Sequence, residues 1–123
     1  MSRMVTVDDV RAVASTLPRS HEAVVRGSVR FRVGSLVYVS FSRDEPIMGF
    51  AFPKEWRASL VAAEPKKFLL PRQSDLRFNW VCVRLGAIDG AEMRALVVEA
   101  WRMVVPRSVA ATVTSSGRPR HVP

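Results

Sequence analysis

A chain of 123 residues, 48% hydrophobic and 24% charged, has the length of one ordinary domain and the composition of a folding globular protein, not a disordered one. Nineteen Lys and Arg oppose eleven Asp and Glu, a formal charge of +8 that points to polyanions as partners. The single Cys82 excludes an internal disulfide framework, and with two His it leaves little for a zinc site.

The basic charge is 16 Arg against 3 Lys. Arginine is a planar, always-ionised fork suited to phosphate and to aromatic stacking, although a GC-rich coding bias would favour it too. No apolar run reaches membrane-spanning length. The first residues, Met-Ser-Arg-Met-Val-Thr-Val-Asp-Asp, are too acidic for a secretory signal, so a soluble cytoplasmic protein is expected.

Along the chain, Thr6 is placed to N-cap a helix with Asp8 and Asp9 at its positive end. Val10, Val13, Ala14 and Leu17 form its apolar stripe, Arg11 faces water and Pro18 stops it. A β region follows. Val29, Phe31 and Val33 alternate with Ser28, Arg30 and Arg32, and after Gly34 Val37, Val39 and Phe41 alternate with Tyr38 and Ser40. A two-residue loop, Gly34-Ser35, would put Arg30 and Arg32 on the face of Val39 and Val37. A three-residue loop, Gly34-Ser35-Leu36, pairs Val33 with Val37 and Phe31 with Val39. It collects the apolar residues on one face and Arg30, Arg32, Tyr38 and Ser40 on the other, and is preferred.

Residues 43–46 read as a charged turn and 47–52 as another strand. Pro53 and Glu55 open a short helix with Trp56, Leu60 and Val61 apolar, ending near Glu64-Pro65. Residues 66–70 are a brief extended piece. The longest strand candidate is 76–85, where the apolar parity changes near Trp80 and predicts a bulge, a break or burial on both faces. Beyond it Trp80, Cys82 and Arg84 share a face. Asp89 and Glu92 have capping-box spacing for a helix with Met93, Leu96, Val97, Ala100 and Val104 inward and Trp101 at the margin, ended by Pro106. Residues 107–123, without periodicity, are expected to be a mobile basic tail, which leaves a 1–106 body carrying 16 minus 11, or +5. The element order argues for an α+β fold: a twisted antiparallel sheet with the N- and C-terminal helices packed on one face and the other face open.

Several stretches resemble the MmcQ/YjbR family of small bacterial proteins. They are Leu17-Pro18 with Glu22 soon after, Phe31-Arg32-Val33-Gly34, the Pro53-to-Trp56 helix start, Arg77-Phe78-Asn79-Trp80 leading a strand, and a last helix ending Trp101 to Pro106. The resemblance runs over about residues 5 to 110. It implies a frataxin-like (CyaY-like) fold, a DNA-binding role through a double-wing arrangement, and no catalytic activity. Arg26 stands where many members have an aromatic residue, and Asn79 where many have His before the tryptophan. Frataxin-type iron binding does not carry over, because Arg11 follows Asp8 and Asp9 and no acidic ridge develops.

The candidate nucleic-acid-binding residues are Arg30, Arg32, Tyr38, Arg77, Trp80 and Arg84, with Arg72 as an extension. Guanidinium groups beside aromatic rings hold phosphates and stack on bases, as in single-strand binders. The plainer reading is a solvated sheet face with a half-buried tryptophan. Trp56 and Trp101 read as core or core-margin residues, and Cys82 as a packing residue. His21-Glu22 makes a poor acid/base pair, since adjacent strand residues point to opposite faces. Gly117-Arg118-Pro119-Arg120 resembles part of an AT-hook, with Ser116 in place of its first arginine, and a solvated tail without function is the preferred reading.

The residues therefore predict a non-enzymatic cytoplasmic protein without cofactor, metal or membrane partner, and a monomer. It binds DNA or another polyanion weakly, with little sequence preference. The alternative is a protein-interaction or small-ligand module on the same fold.

Overall fold

The computed structural model of the chain describes residues 4–42 and 47–113. Helix α1 (Val7–Ala14) opens as expected. Thr6 accepts from the Asp9 amide, and the Asp9 carboxylate accepts from the Thr6 amide at 2.9 Å, a complete capping box. Strands β1 (Ser20–Val25) and β2 (Ser28–Val33) form a tight hairpin through Arg26 and Gly27. Both turn residues have positive φ (53° and 79°), as the primed two-residue turns that match strand twist require.

Next come β3 (Leu36–Phe41), β4 (Ile47–Ala51), helix α2 (Lys54–Ala63), β5 (Phe68–Leu69), β6 (Trp80–Arg84), α3 (Gly90–Arg102) and α4 (Arg107–Ala110). The six strands make one antiparallel sheet in the order β1-β2-β3-β4-β6-β5. The core lies on one face, where Phe31, Val39, Phe50, Val81 and Val83 meet Val10 of α1 and Val97 and Trp101 of α3. The α+β class and the packing of α1 and α3 on one face are as the element order predicts.

The β2–β3 connection is where the expectation fails. The turn is the shorter one: Val33 pairs with Leu36 across Gly34 and Ser35, and Arg32 with Val37. Between Phe31 and Arg32 the register shifts by one residue, so Phe31 still opposes Val39 and Arg30 opposes Ser40. The extra residue is Tyr38. A bulge re-aims its side chain, and Tyr38 turns into the core, fully buried, its hydroxyl hydrogen-bonded to the Ser20 hydroxyl of β1. Burial pushes the phenol pKa up to about 12, partly opposed by the Ser20 bond. Tyr38 is therefore a core residue and no part of the open face.

Other differences follow from tertiary contacts. The strand expected over 76–85 spans only Trp80–Arg84, because a 3₁₀ turn at Gln73–Asp75 and further turns occupy the residues before it. The parity change at Trp80 is thus a strand break. Trp101 is wholly buried, its indole N–H donating to the Pro18 carbonyl at 2.8 Å, whereas Trp56 is 65% exposed and not a core residue. Asp89 caps α3 by accepting from the Glu92 amide at 2.8 Å, while the Glu92 carboxylate reaches Lys67 Nζ at 3.1 Å instead of closing a capping box.

The body does not end at Pro106. Residues 107–113 add α4, Val109 and Val113 pack against the core, and Arg102 donates to the Val113 carbonyl. The turn at 43–46 and the AT-hook-like segment lie outside the described residues.

Candidate nucleic-acid interface

Strand alternation sends every second side chain to the face away from α1 and α3. One cross-strand row on that face runs through all six strands: Ala23, Arg30, Ser40, Gly49, Cys82 and Leu69. In the next row Trp80 pairs with Ala51, and the half-buried indole reaches over Gly49, where a Cβ would meet its Nε1 at 2.5 Å. Glycine at 49 is thus what lets the ring lie on the sheet. Trp80, Cys82 and Arg84 share this face, as expected.

Arg30, two strands from Gly49 in the same row, is half-buried. Its Nε is shut off from solvent and has no hydrogen-bond partner, an expensive state for a guanidinium donor. Arg30, Ser40 and Trp80 line a groove of about 810 Å³ whose far wall is the 72–79 segment. The groove runs out over the sheet end, where Met103 and Val104 complete its rim. On that wall Arg72 pairs with Asp75 at 3.4 Å, and Phe78 is 50% exposed.

The other candidate arginines, Arg32, Arg77 and Arg84, do not line the groove. Arg32 is on the open face, its Nε donating to His21 Nε2 at 3.0 Å. Arg77 lies 4.8 Å from the Phe78 ring centroid, a cation–π contact. Arg84 is exposed at the other end of β6, its Nη1 3.4 Å from the Lys66 carbonyl. Arg30, Arg32, Trp80 and Arg84 therefore share the face, Arg77 belongs to the adjoining loop, and Tyr38 is removed to the core. Cys82 is half-buried, and burial raises its thiol pKa. His21 and Glu22 point to opposite faces, Glu22 pairing with Arg11 of α1 at 2.8 Å. Hydrogen bonding to Arg11 holds the Glu22 carboxyl below its usual range.

The residues that hold the wall had no sequence signal. Arg57 of α2 donates to the carbonyls of Leu76, Phe78 (2.8 Å) and Trp80 (3.2 Å). The Asn79 side chain accepts from the Lys54 amide at 3.0 Å, capping a helix whose own N-cap, Pro53, has no side-chain acceptor. Such contacts to backbone atoms leave no periodicity or spacing to read. Among the described residues there is no cluster of three or more potential metal ligands, and no helix is long and apolar enough to cross a membrane.

A six-stranded antiparallel sheet with α1 and α3 on one face and an arginine-bearing groove on the other defines a small α+β domain. More particularly, the chain belongs to the YjbR family, whose model matches residues 15–103. It is similar to the crystal structure of the Deinococcus radiodurans protein DR2400, a DUF419 domain. The TM-score is 0.73 at 22% identity, over 96% of this chain and 97% of that one. At that identity the likeness is one of fold. No curated protein matches the chain.

Proposed function

We propose that the open sheet face binds nucleic acid, electrostatically and with little sequence selectivity. One observation carries this reading: the ion pairs are unevenly placed. On the helix side Arg11 meets Asp8 and Glu22, Lys67 meets Glu64 and Glu92, and Arg102 meets Glu99. At the groove Arg72 is paired with Asp75, but Arg30, Arg32, Arg77 and Arg84 contact no carboxylate among the described residues, so the charge of these four is left to attract an external anion. Among the described residues no α-helix contributes a lining residue to the groove, which favours phosphate contacts over sequence readout. The protein is then a cytoplasmic, non-enzymatic nucleic-acid binder.

The test is retention of DNA at low salt by wild type and by the Arg30→Ala/Arg32→Ala double variant. Wild type should bind with an affinity that falls steeply with salt, and the variant should bind about tenfold or more weakly with a shallower salt slope. Equal binding by the two proteins would remove this face as the site. A stoichiometric acidic protein retained instead of DNA would favour an interaction module.

A further inference from the structure

The groove beside Arg30 is more specific in shape than a basic surface, and we propose that it takes an unpaired nucleotide of a single strand. The base lies against the Trp80 indole and a flanking phosphate meets the Arg30 guanidinium. This rests on the nucleic-acid reading of the face and adds which form of nucleic acid it accepts.

The first argument is access. Arg30 and Trp80 are both half-buried, between the β2–β3 hairpin and the 72–79 wall. A duplex carries its phosphates on a convex surface and would touch only the exposed arginines outside the groove. A single strand can turn one base and its phosphate inward.

The second is size and chemistry. At about 810 Å³ the groove has the volume of a small-molecule cleft rather than of a flat interface. It combines an aromatic ring, the Ser40 hydroxyl and a guanidinium whose enclosed Nε has no partner among the described residues. An aromatic platform accepts any base, since each has a π-face, in keeping with weak selectivity.

The third is preorganisation. Trp80 is seated over Gly49, and Arg57 holds the carbonyls of residues 76, 78 and 80, so the wall and the ring are in place before a ligand arrives. Phe78, half-exposed with Arg77 stacked on it, stands on the same wall as a platform for a neighbouring base.

The experiment compares an oligo-dT strand with a duplex of equal length at low salt, using wild type and Trp80→Leu. The single strand should bind wild type about tenfold more tightly than the duplex, and Trp80→Leu should lose most of that advantage while its duplex binding changes little. A second measurement uses a Trp56→Phe protein, which leaves Trp80 and the buried Trp101 as fluorophores. Oligo-dT should quench its emission, and inorganic polyphosphate, which has charge but no bases, should not. The quench is decisive should Trp80→Leu fail to fold. Duplex binding as tight as single-strand binding, or no base-dependent quench, would overturn this proposal and leave the nucleic-acid reading standing. Retention of neither form at low salt would overturn both.

Discussion

Trp80 and Gly49 are locked together across β6 and β4: the indole occupies the space in which any side chain at 49 would begin, with Nε1 2.5 Å from an added Cβ. Replacing Gly49 with Ala should push the ring off the sheet. The expected cost is about 1–3 kcal/mol in urea unfolding, the usual scale of overpacking, with a shift in tryptophan emission. An unchanged midpoint and spectrum would show that the ring is not seated there.

Arg57 ties α2 to the groove wall through three carbonyls. Arg57→Ala should cost about 1–3 kcal/mol, because the carbonyls lose a charged donor, and should raise amide exchange in residues 72–80 before the rest of the sheet. Arg57→Lys should recover only part, since one ammonium does not reproduce the guanidinium fork. Uniform exchange in Arg57→Ala would exclude a local clamp.

Asn79 caps α2 from outside the helix. Asn79→Ala should destabilise by about 1 kcal/mol, and Asn79→Asp should keep most of the stability because a carboxylate also accepts at a helix N-terminus. Circular dichroism with chemical denaturation reads both. Equal losses in the two variants would remove the capping role.

Burial of the Tyr38 phenol gives a pH signature. The folded phenol titrates near 12, above its ordinary value of 10.0, so its contribution to stability is complete below pH 10 and is lost as pH rises through 12. Tyr38→Phe should cost about 1 kcal/mol at neutral pH and should flatten the fall in stability between pH 10 and 12. Ultraviolet titration of the folded wild type should show this phenol ionising later than a free one.

Much of the architecture is legible from local pattern. Thr6 with Asp9, and the stripes containing Val10 and Val97, place α1 and α3 and their inward faces, because cap chemistry and a 3.6-residue period are properties of a short stretch of chain. Alternation likewise puts Arg30 and Arg32 opposite the core. The two arginines reach that face by a different route from the one the pattern favours. The turn is short, and the bulge at Tyr38 restores the pairing of Phe31 with Val39. Alternation alone cannot tell a longer loop from a short loop plus a bulge, since both give the same parity at Phe31, and they differ in which of Val37 and Tyr38 faces the core.

Trp56 and Trp101 show the same limit. Both sit near apolar helical stripes, yet one is 65% exposed and the other sealed under Pro18. Which is buried depends on what packs against each helix, and that is set by residues far away in the chain.

Composition alone gives the charge, and a run of matching motifs gives the resemblance to the family. The α+β class and the side of the sheet on which Arg30, Arg32, Trp80 and Arg84 emerge are legible because backbone periodicity dictates those within a few residues. It takes the assembled sheet to show that Tyr38 belongs to the core and that Trp80 rests on Gly49. The same holds for Arg57 and Asn79, which hold the groove wall to α2, and for Arg30, which stands unpaired at its edge. These are contacts between strands and segments remote in sequence, and they exist only once the sheet has brought those segments side by side.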